Sequence, residues 1–115
     1  MEKMKADLTG HERIDQRSIV LHRAIAEKLR ASPELLKIAH DNLSRLSQKG
    51  GRSQPYWDAW REILTRPMPE ILQQLTEDGE YMRALRQATP FSGVLSPSER
   101  WAVYDGFKSA SEDEK

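Results

Sequence analysis

Side chains able to do acid–base or metal chemistry are present in this sequence, but they are scattered. The three histidines, His11, His22 and His40, lie far apart in the chain. A zinc site on a helix needs two histidines about four residues apart on one face, with a further ligand nearby. The sequence therefore predicts no metal site, and it predicts that each histidine lies at the surface or at its boundary with the core.

One pair of carboxylates has a spacing that could support proton transfer or Mg²⁺ binding. Asp58 and Glu62 are four residues apart, so both lie on the same side of a helix. Arg61 and Arg66 lie within reach of them along the same helix. Because oppositely charged neighbours at this spacing form ion pairs, the pattern favours a salt-bridged outer face over a catalytic pair.

The motifs of nucleophilic catalysis and nucleotide binding are absent. The chain has no cysteine, and no Gly-x-Ser-x-Gly sequence places a serine on a sharp turn. Gly50 and Gly51 precede Arg-Ser-Gln-Pro, whereas a phosphate-binding loop continues with Lys and Ser or Thr. The sequence therefore predicts no catalytic residue, no cofactor and no metal ligand, and it indicates a protein that is not an enzyme.

Length and composition restrict the class of protein further. The chain has 115 residues, 31% of them charged, and a mean hydropathy of -0.76. It contains no apolar run of about 18 residues, which a membrane-spanning helix would need. The first residues also lack the apolar stretch of a secretory signal. These features predict one domain, a cytoplasmic location and no membrane partner.

Hydrophobic periodicity indicates an all-α protein of five to six helices in one compact domain. Ile14, Leu21, Ile25 and Leu29 recur at helical spacing over 11–31. A second helix restarts at Ser32-Pro33-Glu34 and is expected to end at Gly50. We expect these two longer helices to form an N-terminal hairpin that packs on shorter, proline-started helices.

The later helices are marked by their start signals. They are expected to begin near Gln54, near Pro67, after Asp78, whose side chain could cap a helix, and at Ser96. Ser96 and Glu99 form a capping-box pattern with proline at the first helical position. The predicted organisation is a flexible N-terminus over 1–10, a helical domain over 11–108 and an acidic flexible tail over 109–115.

The loop between the last two predicted helices carries the most specific pattern. In one interpretation Phe91, Val94 and Leu95 plug the core, and nearby arginines bind helix-end carbonyls. In the other, the loop presents aromatic and arginine side chains to a protein partner, because these types dominate binding hot spots. The candidates for partner binding in the second interpretation are exposed Trp57, Arg83, Arg86, Gln87, Phe91 and Arg100.

The two halves of the chain differ in charge. Residues 1–53 carry 11 basic and 7 acidic side chains, whereas residues 54–115 carry 7 basic and 11 acidic ones. A basic half could follow the phosphates of a nucleic acid, as a variant of the helix-turn-helix. The interleaved acids favour the simpler interpretation of a solvated helical surface. The candidates for nucleic-acid contacts are Arg13, Arg17, Arg23, Lys37 and Arg45.

Two segments together resemble a known group of proteins. These are Leu21-His22-Arg23 with Ala26 and Lys28-Leu29, and the run from Leu85 to Trp101 that contains Thr89-Pro90-Phe91 and Ser96-Pro97. The pattern resembles a group of small, mostly uncharacterised bacterial helical proteins, some similar to the antitoxins of toxin–antitoxin modules. The resemblance implies a protein-binding module that neutralises an enzyme by covering it. The oligomeric state stays open, and a homo-oligomer is compatible with the sequence.

Overall fold

The computed structural model describes the backbone of residues 10–113 and the side chains of residues 13–107. This part of the chain is a single all-helical globule without a strand, which confirms the predicted fold class. A 3₁₀ turn over Pro33–Leu35 leads into the second helix. The six α-helices are α1 (Gly10–Ala31), α2 (Leu36–Ser47), α3 (Gln54–Ile63), α4 (Met68–Leu75), α5 (Glu80–Gln87) and α6 (Pro97–Asp113).

The start of α6 follows local chemistry. Ser96 and Glu99 form the predicted capping box: the Ser96 N–H donates to the Glu99 carboxylate at 2.7 Å, and the Glu99 N–H donates to Ser96 Oγ at 3.1 Å. Glu99 also pairs with Lys28, which ties the start of α6 to α1. Asp78 was expected to cap α5, but this helix has no side-chain cap. The carboxylate of Asp78 instead accepts from Arg83 at 3.3 Å.

The predicted bounds of α2 need correction, and α6 extends beyond residue 108. Pro33 starts a 3₁₀ turn, so α2 begins only at Leu36, and it ends at Ser47, before Gly50 with its positive φ of 63°. The acidic segment that was expected to be a flexible tail from residue 109 is helical as far as Asp113. The expected flexible N-terminus, except Gly10, and residues 114–115 lie outside the described residues.

The first helix lies at the centre of the domain. It packs against α4, α5 and α6, whereas α2 makes its main contacts with α3. The two helices of the expected hairpin therefore pack mainly on other elements rather than on each other. The physical reason is the width of the buried face of α1, where Ile19, Ile25, Ala26 and Leu29 offer apolar surface to several helices.

The core draws on both halves of the chain. Trp60 is completely buried, and its indole N–H donates to the carbonyl of Leu85 at 3.0 Å. Phe91 meets the Trp60 ring edge to face at a centroid distance of 5.5 Å, a favourable aromatic geometry. Trp101 differs from the other two tryptophans, because 66% of it is exposed.

Candidate binding groove

The loop between α5 and α6 is part of the core. Phe91 is only 1% exposed, and Val94 and Leu95 are also buried. Gly93, with a φ of 96°, supplies the bend that turns these side chains inward. The core-plug interpretation of the loop is thus confirmed. The prediction that Phe91 is a surface anchor is wrong, since its ring packs inside the domain.

The loop is also fastened to α2. The side-chain amide of Asn42 donates to the carbonyl of Pro90 at 2.9 Å and to that of Ser92 at 2.8 Å. One side chain therefore satisfies two loop carbonyls on either side of Phe91. The loop is fixed from outside by this amide and from inside by its apolar residues.

His22 is buried at 1% exposure, contrary to its predicted surface or boundary position. Nδ1 lies 2.8 Å from the Ser18 carbonyl, an acceptor, so Nδ1 carries the proton. Nε2 then accepts from the Thr89 hydroxyl at 2.9 Å. Burial, with the charge of Arg86 as a smaller cause, lowers the pKa of His22 to about 4, so the imidazole is neutral at pH 7.

Arg86 is a buried cation rather than a surface anchor. It is 3% exposed, and its Nη1 donates to the carbonyls of Leu75 at 3.1 Å and Glu77 at 2.8 Å. Leu75 is the last residue of α4, so the guanidinium satisfies carbonyls that a helix end leaves without partners. Burial lowers the pKa of Arg86 from its usual value.

The remaining partner-binding candidates divide between core and surface. Trp57 lies on the buried face of α3, so its expected exposure is also wrong. Arg83 and Gln87 are exposed on α5, and Gln87 Nε2 donates to Asp15 Oδ1 on α1 at 3.4 Å. Arg100 belongs to a different feature, a groove between α1 and α6.

This groove, which we call the α1–α6 groove, has a volume of about 760 Å³. Arg17 stacks on the ring of Tyr104 at 5.0 Å, and Arg13 stacks on the ring of Phe107 at 5.6 Å. The indole of Trp101 projects beside them into solvent. The lining consists of three cations and four apolar or aromatic side chains: Arg13, Ile14, Arg17, Arg100, Trp101, Tyr104 and Phe107.

Helical spacing explains the composition of the groove. Arg13 and Arg17 are four residues apart on α1, and Arg100 and Tyr104 are four apart on α6. Because α6 packs on α1, the two stripes meet across the helix pair. Arg13 and Arg17 were predicted to contact nucleic acid, and Arg100 was predicted to contact a protein partner. The sequence did not indicate that all three share a surface with Trp101.

The other candidates for nucleic-acid binding do not join this groove. Arg23 is exposed elsewhere on α1, and Lys37 pairs with Asp41 at 2.9 Å. Arg45 donates to the side chain of Asn42 at 2.9 Å. Of the five basic residues that were predicted to contact nucleic acid, Arg13 and Arg17 are thus the two that line the groove.

The carboxylate pair of α3 has the predicted structure of an outer face. Arg61 pairs with Asp58 at 3.3 Å, and Arg66 pairs with Glu62 at 2.7 Å. Within the described residues, no cluster of three or more histidine or acidic side chains has the geometry to hold a metal ion. Over the same residues, no helix combines the length and apolar character that crossing a bilayer requires.

No protein-family model, curated protein or solved structure matches this chain. The resemblance to antitoxin-like helical proteins therefore stays a prediction from the sequence.

Proposed function

We propose that this protein is a protein-binding module that docks its partner in the α1–α6 groove. The observation that carries the proposal is the exposed indole of Trp101 next to Arg13, Arg17 and Arg100. Tryptophan, tyrosine and arginine are the residue types that dominate the energetics of protein interfaces. A large exposed aromatic side chain in such company is the expected centre of a docking surface.

The charge of the groove determines the chemistry of the partner. Three arginines line it, and no carboxylate does so in the part of the chain that the structure describes. A partner with complementary potential presents acidic side chains around an apolar residue that packs on Trp101 and Ile14. The arginines would steer this partner and fix its orientation, while the apolar contact would supply most of the affinity.

The partner class that fits the sequence resemblance is an enzyme that is kept inactive by coverage of its surface. One feature is compatible with such an antitoxin-type role: the proposed docking surface lies on one side of the domain, between α1 and α6. In this mechanism the domain blocks substrate access sterically, and its arginines occupy acidic positions of the enzyme.

Nucleic-acid binding is the second candidate, because the three arginines of the groove could contact phosphates. Proteins that bind single strands stack bases on exposed aromatic faces. Here the rings of Tyr104 and Phe107 already carry Arg17 and Arg13, which leaves Trp101 as the freely exposed ring of the groove. One freely exposed ring does not give successive bases of a strand a series of stacking faces, so the arrangement favours a protein partner over a nucleic acid.

The test is an affinity purification of the tagged full-length protein from its native cells at low and high salt. Wild type is compared with Trp101→Ala and Arg17→Glu. Tyr81→Ala is the matched control for the first variant, since Tyr81 is 65% exposed on α5 and outside the groove. Arg52→Glu, an exposed site outside the groove, controls for the change of charge.

We expect one stoichiometric protein that survives high salt, with at least about 30-fold weaker binding to both groove variants and unchanged binding to both controls. If the partner is an enzyme, wild type inhibits it and Trp101→Ala does not. Recovery of nucleic acid alone, lost at high salt, would contradict the proposal. Equal loss of binding in the control variants would also contradict it.

A further inference from the structure

A second, smaller pocket lies between α1 and α5 and adjoins the α1–α6 groove. Its volume is about 140 Å³, and it shares Ile14, Arg17 and Tyr104 with the groove. The rest of its lining is mostly polar and consists of Ser18, Leu21, His22, Arg86, Gln87 and Thr89. We propose that this pocket binds a small oxyanion, a carboxylate or phosphoryl group, through the guanidinium of Arg86.

The guanidinium of Arg86 has one edge in use and one edge without a partner. Nη1 donates to two backbone carbonyls at the end of α4. Nε and Nη2 are buried and donate to no group in the described structure. The N–H bonds of these two nitrogens are parallel. Together they can donate to two oxygens of one carboxylate or phosphate group.

The charge of Arg86 also lacks a direct counter-ion among the described residues. Three acidic side chains, Asp78, Asp15 and Glu77, act on its charge without forming an ion pair with it. Two of them bond to other side chains: Asp78 accepts from Arg83, and Asp15 accepts from Gln87. Burial of this cation is unfavourable at Nε and Nη2, because these two nitrogens have lost their hydration without a replacement. An anion bound at Nε and Nη2 would give both nitrogens an acceptor and would balance the charge.

The pocket supplies further groups for such an anion. Arg17 adds a second cation at the rim, and Ser18 adds a hydroxyl. The hydroxyl of Thr89 already donates to His22, so it has no proton left for the ligand. The volume of about 140 Å³ is well above the roughly 10–15 Å³ that one water needs on the same measure, so the pocket has room for a small oxyanion.

The exposed side chains of Arg17 and Gln87 are part of the lining, so the pocket reaches the surface. The Nε and Nη2 atoms themselves are closed to bulk solvent, so a rim side chain has to move when the ligand enters. Gln87 is the side chain positioned to do this, since it is exposed and its hydrogen bond to Asp15 is long at 3.4 Å.

The experiment titrates the full-length protein separately with inorganic phosphate and with acetate at constant ionic strength. Binding is followed through the melting temperature and through the ¹H–¹⁵N signal of the Arg86 Nε–H group, assigned by its loss in Arg86→Lys. We expect saturable stabilisation and a saturable shift of this signal. Saturation by phosphate alone identifies a phosphoryl ligand, and saturation by acetate alone identifies a carboxylate.

Two matched variants locate the site. Arg17→Gln removes a cation that lines the pocket, and Arg13→Gln removes one that lines the groove but not the pocket. Each variant breaks one cation–π contact with α6, so their effects on stability are comparable. We expect affinity to fall at least about 10-fold in Arg17→Gln and to stay unchanged in Arg13→Gln.

Two results would overturn this proposal. One is the absence of a saturable change with either anion. The other is an equal response of wild type and Arg17→Gln, as an unspecific salt effect would give. Neither result depends on a macromolecular partner, so the oxyanion proposal and the protein-binding proposal are tested independently.

Discussion

The imidazole of His22 and the hydroxyl of Thr89 form a hydrogen bond of 2.9 Å between positions 67 residues apart in the chain. The same hydroxyl oxygen accepts from the Phe91 N–H at 3.2 Å. One threonine thus links α1 to the backbone of the loop that carries Phe91 into the core. The link requires a neutral histidine, because Nε2 has to act as an acceptor.

This requirement makes stability depend on pH. The pKa of His22 is lowered to about 4 in the folded protein, against about 6.5 in an unfolded chain. The unfolded state therefore binds more protons between these two values, and stability falls as the pH drops through that range. Between pH 7.5 and 5 we expect His22 to account for a loss of about 2 kcal/mol in the free energy of unfolding.

Urea denaturation at both pH values measures this loss, and His22→Gln provides the comparison. Glutamine does not titrate, so the variant should lack the increment even if it is less stable at both pH values. An identical pH dependence in wild type and variant would show that His22 does not titrate with a lowered pKa.

Replacement of Arg86 by methionine should destabilise the fold. Methionine fills much of the same space, but it leaves the carbonyls of Leu75 and Glu77 without their donor. We expect a loss of about 2–3 kcal/mol by chemical denaturation. Arg83→Met is the control on the same helix, and it should change stability by no more than about 0.5 kcal/mol, because the pair of Arg83 with Asp78 is exposed.

Truncation of Phe91 should be among the most damaging changes in the chain. Its ring packs against Trp60 and His22, at centroid distances of 5.5 and 6.3 Å, and alanine would leave a cavity there. We expect Phe91→Ala to cost about 3–5 kcal/mol in thermal or urea unfolding. Trp101→Ala should leave stability within about 0.5 kcal/mol of wild type, since that ring is mostly in water.

Loss of the amide of Asn42 should loosen the loop without unfolding the domain. Asn42→Ala removes both bonds to the loop carbonyls, with an expected cost of about 1–2 kcal/mol. Amide hydrogen exchange of residues 91–95 should become faster, while that of α3 should not. Ser44→Ala, at an exposed position of the same helix, should leave exchange in the loop unchanged.

The sequence predicted the helices well because their signals are local. The capping box of Ser96 and Glu99, the proline in the first turn of α3 and the ion pairs of Asp58 and Glu62 depend on neighbours within a few residues. The arrangement of the helices is a long-range property. Nothing near α1 in the sequence indicates that α4, α5 and α6, rather than mainly α2, cover it.

The predictions for the candidate site were wrong mainly because two polar side chains are buried. His22 and Arg86 are polar, so their types alone favour the surface. One signal for His22 was present: Ser18, His22, Ile25 and Leu29 follow helical spacing, which places the histidine on the buried stripe of α1. For Arg86 the signal is structural, since the helix end that it satisfies becomes visible only when α4 and α5 are packed together.

The central position of α1 has a consequence during protein synthesis. This helix leaves the ribosome before the helices that cover it, and the threonine that bonds to His22 is added only 67 residues after that histidine. Until α4, α5 and α6 have emerged, the nascent chain carries an amphipathic helix whose apolar side has no native cover. A translational pause in the first half of the chain would prolong the period in which this helix needs a chaperone or is exposed to proteases.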